Sequence, residues 1–160
     1  MKRFLKLILA IALGFTAVEA SAQVYAGGGF TFEANSYGAS LVLSPEVGYW
    51  ITNEYAAGAV MDIYACDGYS GVMFSPYGRW SFAKLNIIQF FVDGFVSIGG
   101  IDNSFVYGMS ARPGFYIPLS RRLDFVSRVG GLGFKSWQDR DTVFNFDVLT
   151  NISFSMVYNF

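Results

Sequence analysis

Seven charged side chains, Glu46, Asp62, Arg79, Asp93, Arg112, Arg128 and Asp147, recur one to each of seven successive stretches in which apolar and small or polar residues alternate. Four are carboxylates and three are guanidiniums. Gathered away from water such a set has to pair, because an unpaired buried charge is costly and Arg–carboxylate hydrogen bonds are strong. Facing carboxylates could also do general acid–base work. The chain has no histidine, however, so histidine-assisted serine chemistry has no base and imidazole-built zinc sites are excluded. Asp62 and Asp93 are most simply partners for Arg79. The chemistry expected is an ion-pair network, with no catalytic residue, no metal and no cofactor.

The elements that would carry these charges are strands. Period-two alternation runs through eight segments bounded by turn-like residues: about Val24 to Ala34, Tyr37 to Ile51, Ala56 to Ala65, Tyr69 to Phe82, Gln89 to Gly99, Phe105 to Ile117, Leu123 to Ser136 and Val143 to Phe160. Sorted by parity, one face carries Phe30, Leu41, Leu43, Val47, Met61, Phe74, Trp80, Val92, Val96, Tyr107, Met109, Phe125 and Phe154, and none of these seven charges. The charges fall on the other face, among small residues such as Gly38, Ser40, Ser44, Gly48, Gly108, Ser110 and Gly114. The first six lie at similar distances from one set of turns and are expected to share a layer; Asp147 lies farther from its end of the chain.

The opening "MKRFLKLILAIALGFTAVEASA" has a basic start, an apolar run and an Ala20-Ser21-Ala22 cleavage pattern, the make-up of a secretory signal peptide over residues 1–22. The mature chain would begin at Gln23 and form a single domain over residues 23–160. The leader takes Lys2, Arg3, Lys6 and Glu19 with it, leaving 8 basic and 11 acidic side chains, which gives no reason to expect a nucleic-acid partner. A single cysteine, Cys66, cannot form a disulfide within the chain.

The chain is 53% hydrophobic with a mean hydropathy of +0.38, yet beyond the leader no apolar run approaches the roughly 20 residues of a spanning helix. Alternation of large apolar with small polar residues is what a transmembrane β-barrel produces. A soluble lipocalin-like barrel would instead turn its apolar face inward and carry a polar exterior. Aromatics gather near the strand ends, with Tyr49, Trp80, Phe82, Phe115, Tyr158 and Phe160 toward one rim and Phe32, Tyr37, Phe105, Tyr107 and Phe144 toward the other, as two interfacial girdles would. "LSPEVGYWI", "FSPYGRWSF" and "ARPGFYIPL" each place a proline inside an even-numbered strand. A bulge or local break is therefore expected at Pro45, Pro76 and Pro113. "GGG" and "GGLG" lie in strands and signify bulges or close packing, not a phosphate cradle.

With its "SPxxGYW"-type hairpins, "VGGLGF" (Val129 to Phe134) and terminal "VYNF", the mature chain resembles the small eight-stranded outer-membrane barrels of Gram-negative bacteria, of the OmpA and OmpX kind. The resemblance implies an all-β, antiparallel up-and-down transmembrane barrel in the outer membrane, in contact with its lipid. It also implies that Phe154, Met156, Tyr158 and Phe160 form the signal read by the barrel-assembly machinery. The segments Ala34 to Ser36, Ala65 to Gly68, Gly99 to Asn103 and Trp137 to Asp141 are too short for a large adhesive platform. The expected role is structural or interactive, with a polar, plugged interior and no enzymatic activity. The alternatives are a narrow channel or binding barrel for a small solute, and a secreted soluble ligand-binding barrel.

Overall fold

A computed structural model of the protein describes residues 24–35, 38–66, 69–101, 104–138 and 140–160. The expected signal peptide, residues 1–22, lies outside them. Eight strands follow one another: β1 (Val24–Asn35), β2 (Gly38–Trp50), β3 (Tyr55–Cys66), β4 (Tyr69–Leu85), β5 (Ile88–Ile101), β6 (Ser104–Pro118), β7 (Leu123–Trp137) and β8 (Arg140–Asn159). Each pairs antiparallel with the next, and β8 pairs with β1, so the sheet closes on itself and has no edge. Val24 and Phe160 meet at this seam, where the Phe160 amide donates to the Val24 carbonyl at 3.0 Å.

Turns at the end that holds the termini are built from local chemistry. In the β2–β3 turn the Thr52 hydroxyl accepts from the amides of Glu54 and Tyr55, and Ser120 does the same for Arg122 and Leu123 between β6 and β7. Asn86 takes a φ of 56° in the β4–β5 turn, a left-handed conformation that asparagine tolerates. At the far end two-residue connections join β1 to β2, β3 to β4, β5 to β6 and β7 to β8.

The apolar parity faces outward. Phe30, Leu41, Leu43, Met61, Phe74, Val96, Ile98 and Met109 are exposed around the waist. Trp80, Phe82, Tyr158 and Phe160 are exposed toward one rim, and Phe105, Tyr107 and Phe144 toward the other. This is the inverse of the soluble arrangement, which needs those side chains inside. Phe32 and Tyr37 belong to the same expectation, but their side chains lie outside the described residues.

The three prolines point outward and differ in their effect on the ladder. The β2–β3 ladder lapses at Ser44 and Pro45 and resumes at Glu46 in the same register. The β4–β5 ladder likewise lapses at Ser75 and Pro76 without slipping. Only at Pro113 does the register shift, between Ala111 and Gly114. Further shifts occur at Ser81/Ala83, Val129/Gly131 and Lys135/Trp137, the second built on Gly130 with a φ of 65°.

The interior is not uniformly small. Tyr25, Tyr77, Phe91 and Phe95 point inward and are buried, with Trp50 and Tyr116 packed against them. A glycine opposite each of three rings makes the space: Tyr25 pairs with Gly48, Tyr77 with Gly58 and Phe91 with Gly114. A Cβ on those glycines would lie 2.2, 2.7 and 2.5 Å from ring carbons. The charges lie among these rings, and toward the far end comes a second apolar cluster of Val42, Tyr64, Met73 and Val106 with Ile101 and Trp137.

Candidate functional site

Four of the seven charges meet in a quartet among the inward rings, on the terminal side of the far-end cluster. Arg79 on β4 is bidentate to Asp93 on β5, with Nε to Oδ1 and Nη2 to Oδ2 both at 2.8 Å. Arg128 on β7 donates from Nε to the same Asp93 Oδ2 at 2.8 Å. It also reaches across the barrel to Glu46 on β2, with Nη2 to Oε1 at 2.7 Å and Nη1 to Oε2 at 3.1 Å. Arg79 Nη2 lies 3.5 Å from Glu46 Oε1, which completes the ring. Two carboxylates and two guanidiniums balance in charge, and Asp93 is 0% exposed.

The quartet is held among rings. The Tyr77 hydroxyl donates to Glu46 Oε1 and is itself hydrogen-bonded to the Tyr25 hydroxyl. Arg79 stacks over Phe91, its Cζ 4.0 Å from the ring centroid, and Arg128 lies 5.5 Å from Tyr77 and 5.7 Å from Phe95. Buried guanidiniums are thus satisfied both by carboxylates and by ring faces. The layer is built from side chains drawn from β1, β2, β4, β5 and β7.

Asp62 and Arg112 do not share that layer. Asp62 on β3 accepts from the Ser44 hydroxyl at 2.6 Å instead of pairing with Arg79, because Arg79 has already spent its guanidinium on Asp93 and Glu46. Arg112 is the Cα partner of Asp93 across β5–β6. Its guanidinium nevertheless turns the other way, 5.5 Å from the Phe95 ring. Both side chains line a cavity of about 80 Å³ on the far side of the quartet, room for a few water molecules. Asp147 lies on β8 opposite Gly131; its side chain is outside the described residues.

Tyr77, Tyr25 and Phe91 are partners of the charges that sequence reasoning passed over. Tyr77 sits two residues before Arg79 and so shares its face; that spacing, together with a glycine on the neighbouring strand, was the available signal. Lys135 was also missed, since it shares the parity of Phe125 and only the shift at Val129/Gly131 turns it to the cavity wall.

The terminal residues form the seam. Phe154 packs on Phe30 of β1 at 5.9 Å and stacks on Phe125 at 6.0 Å. Met156, Tyr158 and Phe160 are exposed on the outer face, with Tyr158 edge-on to Phe160 and its hydroxyl accepting from Arg122 Nη1 at 3.1 Å.

No protein-family model matches the chain, and no curated protein matches it in sequence. Among solved structures it is similar to Neisserial surface protein A, with a TM-score of 0.56 at 13% identity over 86% of this chain and 96% of that one. A de novo designed transmembrane β-barrel gives a TM-score of 0.56 at 10% identity, over 89% of this chain and 98% of the design. A second design, TMB2.3, gives 0.55 at 9% identity over 89% and 97%. At such identities the likeness is one of fold, and that fold is the closed barrel by which strands cross membranes.

Proposed function

We propose that the protein is an integral barrel of the bacterial outer membrane, exported by its cleaved leader, with a structural or interaction role and no conducting pore or enzymatic activity. The observation that carries this reading is the pairing of an apolar outer face with an interior crossed by the Glu46–Arg79–Asp93–Arg128 quartet and its aromatic support. Lipid would cover the exterior, and each of the four charges meets an opposite charge within the protein. In this reading Phe154, Met156, Tyr158 and Phe160, at the β1–β8 seam, are what the barrel-assembly machinery engages.

The test is gel migration of the refolded mature chain with and without boiling, followed by single-channel recording in planar bilayers. A faster unboiled band without conductance is expected. Steady conductance would favour a solute path, and detergent-free solubility without a mobility shift would sink the membrane reading. A second reading, binding of a small solute, is favoured by the polar cavity beyond the quartet.

A further inference from the structure

The end of the barrel that holds the termini carries an uneven charge. It presents Lys84 at the end of β4 and Arg121 and Arg122 between β6 and β7, all exposed, against one exposed side-chain carboxylate, Glu54, in the β2–β3 turn. That turn lies four strands from the β6–β7 turn in a ring of eight, so Glu54 stands on the opposite side of the rim. Asp124, two residues on from Arg122, is half-buried and accepts from Asn159 Nδ2 at 2.8 Å. Every ion pair among the described residues belongs to the quartet, so none of them compensates these three cations.

Among the three, Arg122 is held in place by its surroundings. Its amide donates to the Ser120 hydroxyl, and its carbonyl accepts from the Asn159 amide at 2.7 Å, which fixes the backbone just before β7. The chain bends there, and the guanidinium reaches the Tyr158 hydroxyl on the outer face, donating from Nη1 at 3.1 Å. Having accepted that bond, the phenol keeps its own O–H to donate, and the rest of the guanidinium is exposed. The two donors stand side by side where the apolar face ends, beside Phe160 and with Met156 two residues back along β8. An aromatic ring with a polar tip belongs at the headgroup level of a bilayer. A planar guanidinium next to a hydroxyl matches the oxygens of a phosphate.

We propose that Arg122 and Tyr158 together bind the phosphate of an anionic phospholipid in the leaflet that surrounds this rim. The proposal rests on the membrane-barrel reading. Its occupant is a lipid and not a free oxyanion, because both donors are open to water, where a single exposed ionic contact holds little. Acyl chains lying along Met156, Tyr158 and Phe160 supply the remaining attraction by burying apolar surface. The headgroup is anionic and not zwitterionic, because cations outnumber carboxylates on this rim and would repel a headgroup's own cation.

The experiment is a titration of the ¹⁵N-labelled, refolded mature chain in maltoside micelles, which carry no phosphate, with short-chain dihexanoylphosphatidylglycerol. Glycerol phosphate, a headgroup without chains, and dihexanoylglycerol, the chains without a headgroup, are the controls. Saturable amide shifts centred on Arg122, Leu123 and Tyr158 are expected with the phospholipid and with neither control. Arg122→Gln should weaken binding about fivefold, the scale of one cation at an anionic lipid surface. Tyr158→Phe, which removes only the hydroxyl, should weaken it about threefold. Lys84→Gln, which removes a cation from the same rim away from Tyr158, should change affinity by less than about twofold. If Arg122→Gln loses the heat-modifiable band, Tyr158→Phe carries the test. Shifts reproduced by glycerol phosphate overturn the lipid as occupant, and shifts reproduced by dihexanoylglycerol overturn recognition of the phosphate. An unmutated protein that shows no saturable shift, unchanged affinity in the folded variants, or an equal loss in Lys84→Gln overturns the pair as a site. Loss of the heat-modifiable band in the unmutated protein would instead count against the membrane barrel.

Discussion

At the scale of single residues, the quartet's energetics follow from the position of Asp93. One fully buried carboxylate accepts from two guanidiniums, so removing its charge leaves Arg79 and Arg128 facing each other with only Glu46 to share. Breaking a buried pair on one side typically costs about 3–5 kcal/mol. Asp93→Asn is expected to lose about that much in urea unfolding of the refolded barrel. Asp62→Asn, which keeps an acceptor for Ser44, should lose about 1 kcal/mol or less; equal losses would mean that the two carboxylates share one network. The sequence displayed the charges and their common face but not which of them meet. Cα register would join Asp93 to Arg112, its cross-strand partner. The direction a long side chain takes along the barrel axis depends on what fills the layers above and below, and those layers are assembled from strands far apart in the chain: Arg128 reaches Glu46 across 82 positions.

At the scale of elements, alternation alone located all eight strands to within a few residues, because a half-lipid, half-lumen surface imposes period two without exception for charge. Large inward rings escaped the same reading. Tyr25, Tyr77 and Phe91 fit only because a neighbouring strand supplies glycine, a cross-strand relation that a single strand's pattern does not contain. The fit is a testable one. Gly48→Ala would set its Cβ 2.2 Å from Cζ of Tyr25, a ring that is fully buried and tied to Tyr77 and so has nowhere to retreat. Overpacking of this kind costs about 1–3 kcal/mol. Gly78→Ala, where nothing lies within 4 Å, should cost under about 0.5 kcal/mol. In a Tyr25→Leu background, whose side chain ends short of the ring's far carbons, the cost of Gly48→Ala should fall by about 1 kcal/mol, read as the coupling energy of a double-mutant cycle. No coupling would mean that glycine is needed there for the backbone and not for the ring.

At the scale of the whole molecule, exterior and interior impose opposite demands, and the parity of each strand satisfies both at once. A soluble barrel of this size would gain from charge on its outer face and from apolar filling within; here Val96, Ile98, Met109 and Phe74 are outside, and the buried charges are within. Placing one charge at the same depth on either face therefore separates the two environments. Val96 lies at the middle of β5, exposed outward and flanked by Met109 across the β6 ladder. An arginine there, in a bilayer, must be dragged from the hydrocarbon midplane toward a rim, at a cost of about 2–4 kcal/mol, whereas near the rim at Tyr158 the same substitution should cost about 0–1 kcal/mol. The contrast between Val96→Arg and Tyr158→Arg should therefore appear as a depth-dependent loss of folding free energy in lipid vesicles. In detergent micelles, whose apolar layer is thinner and deformable, it should shrink. Equal and negligible costs at both positions in vesicles would mean that the outer face meets water or a protein partner instead of lipid.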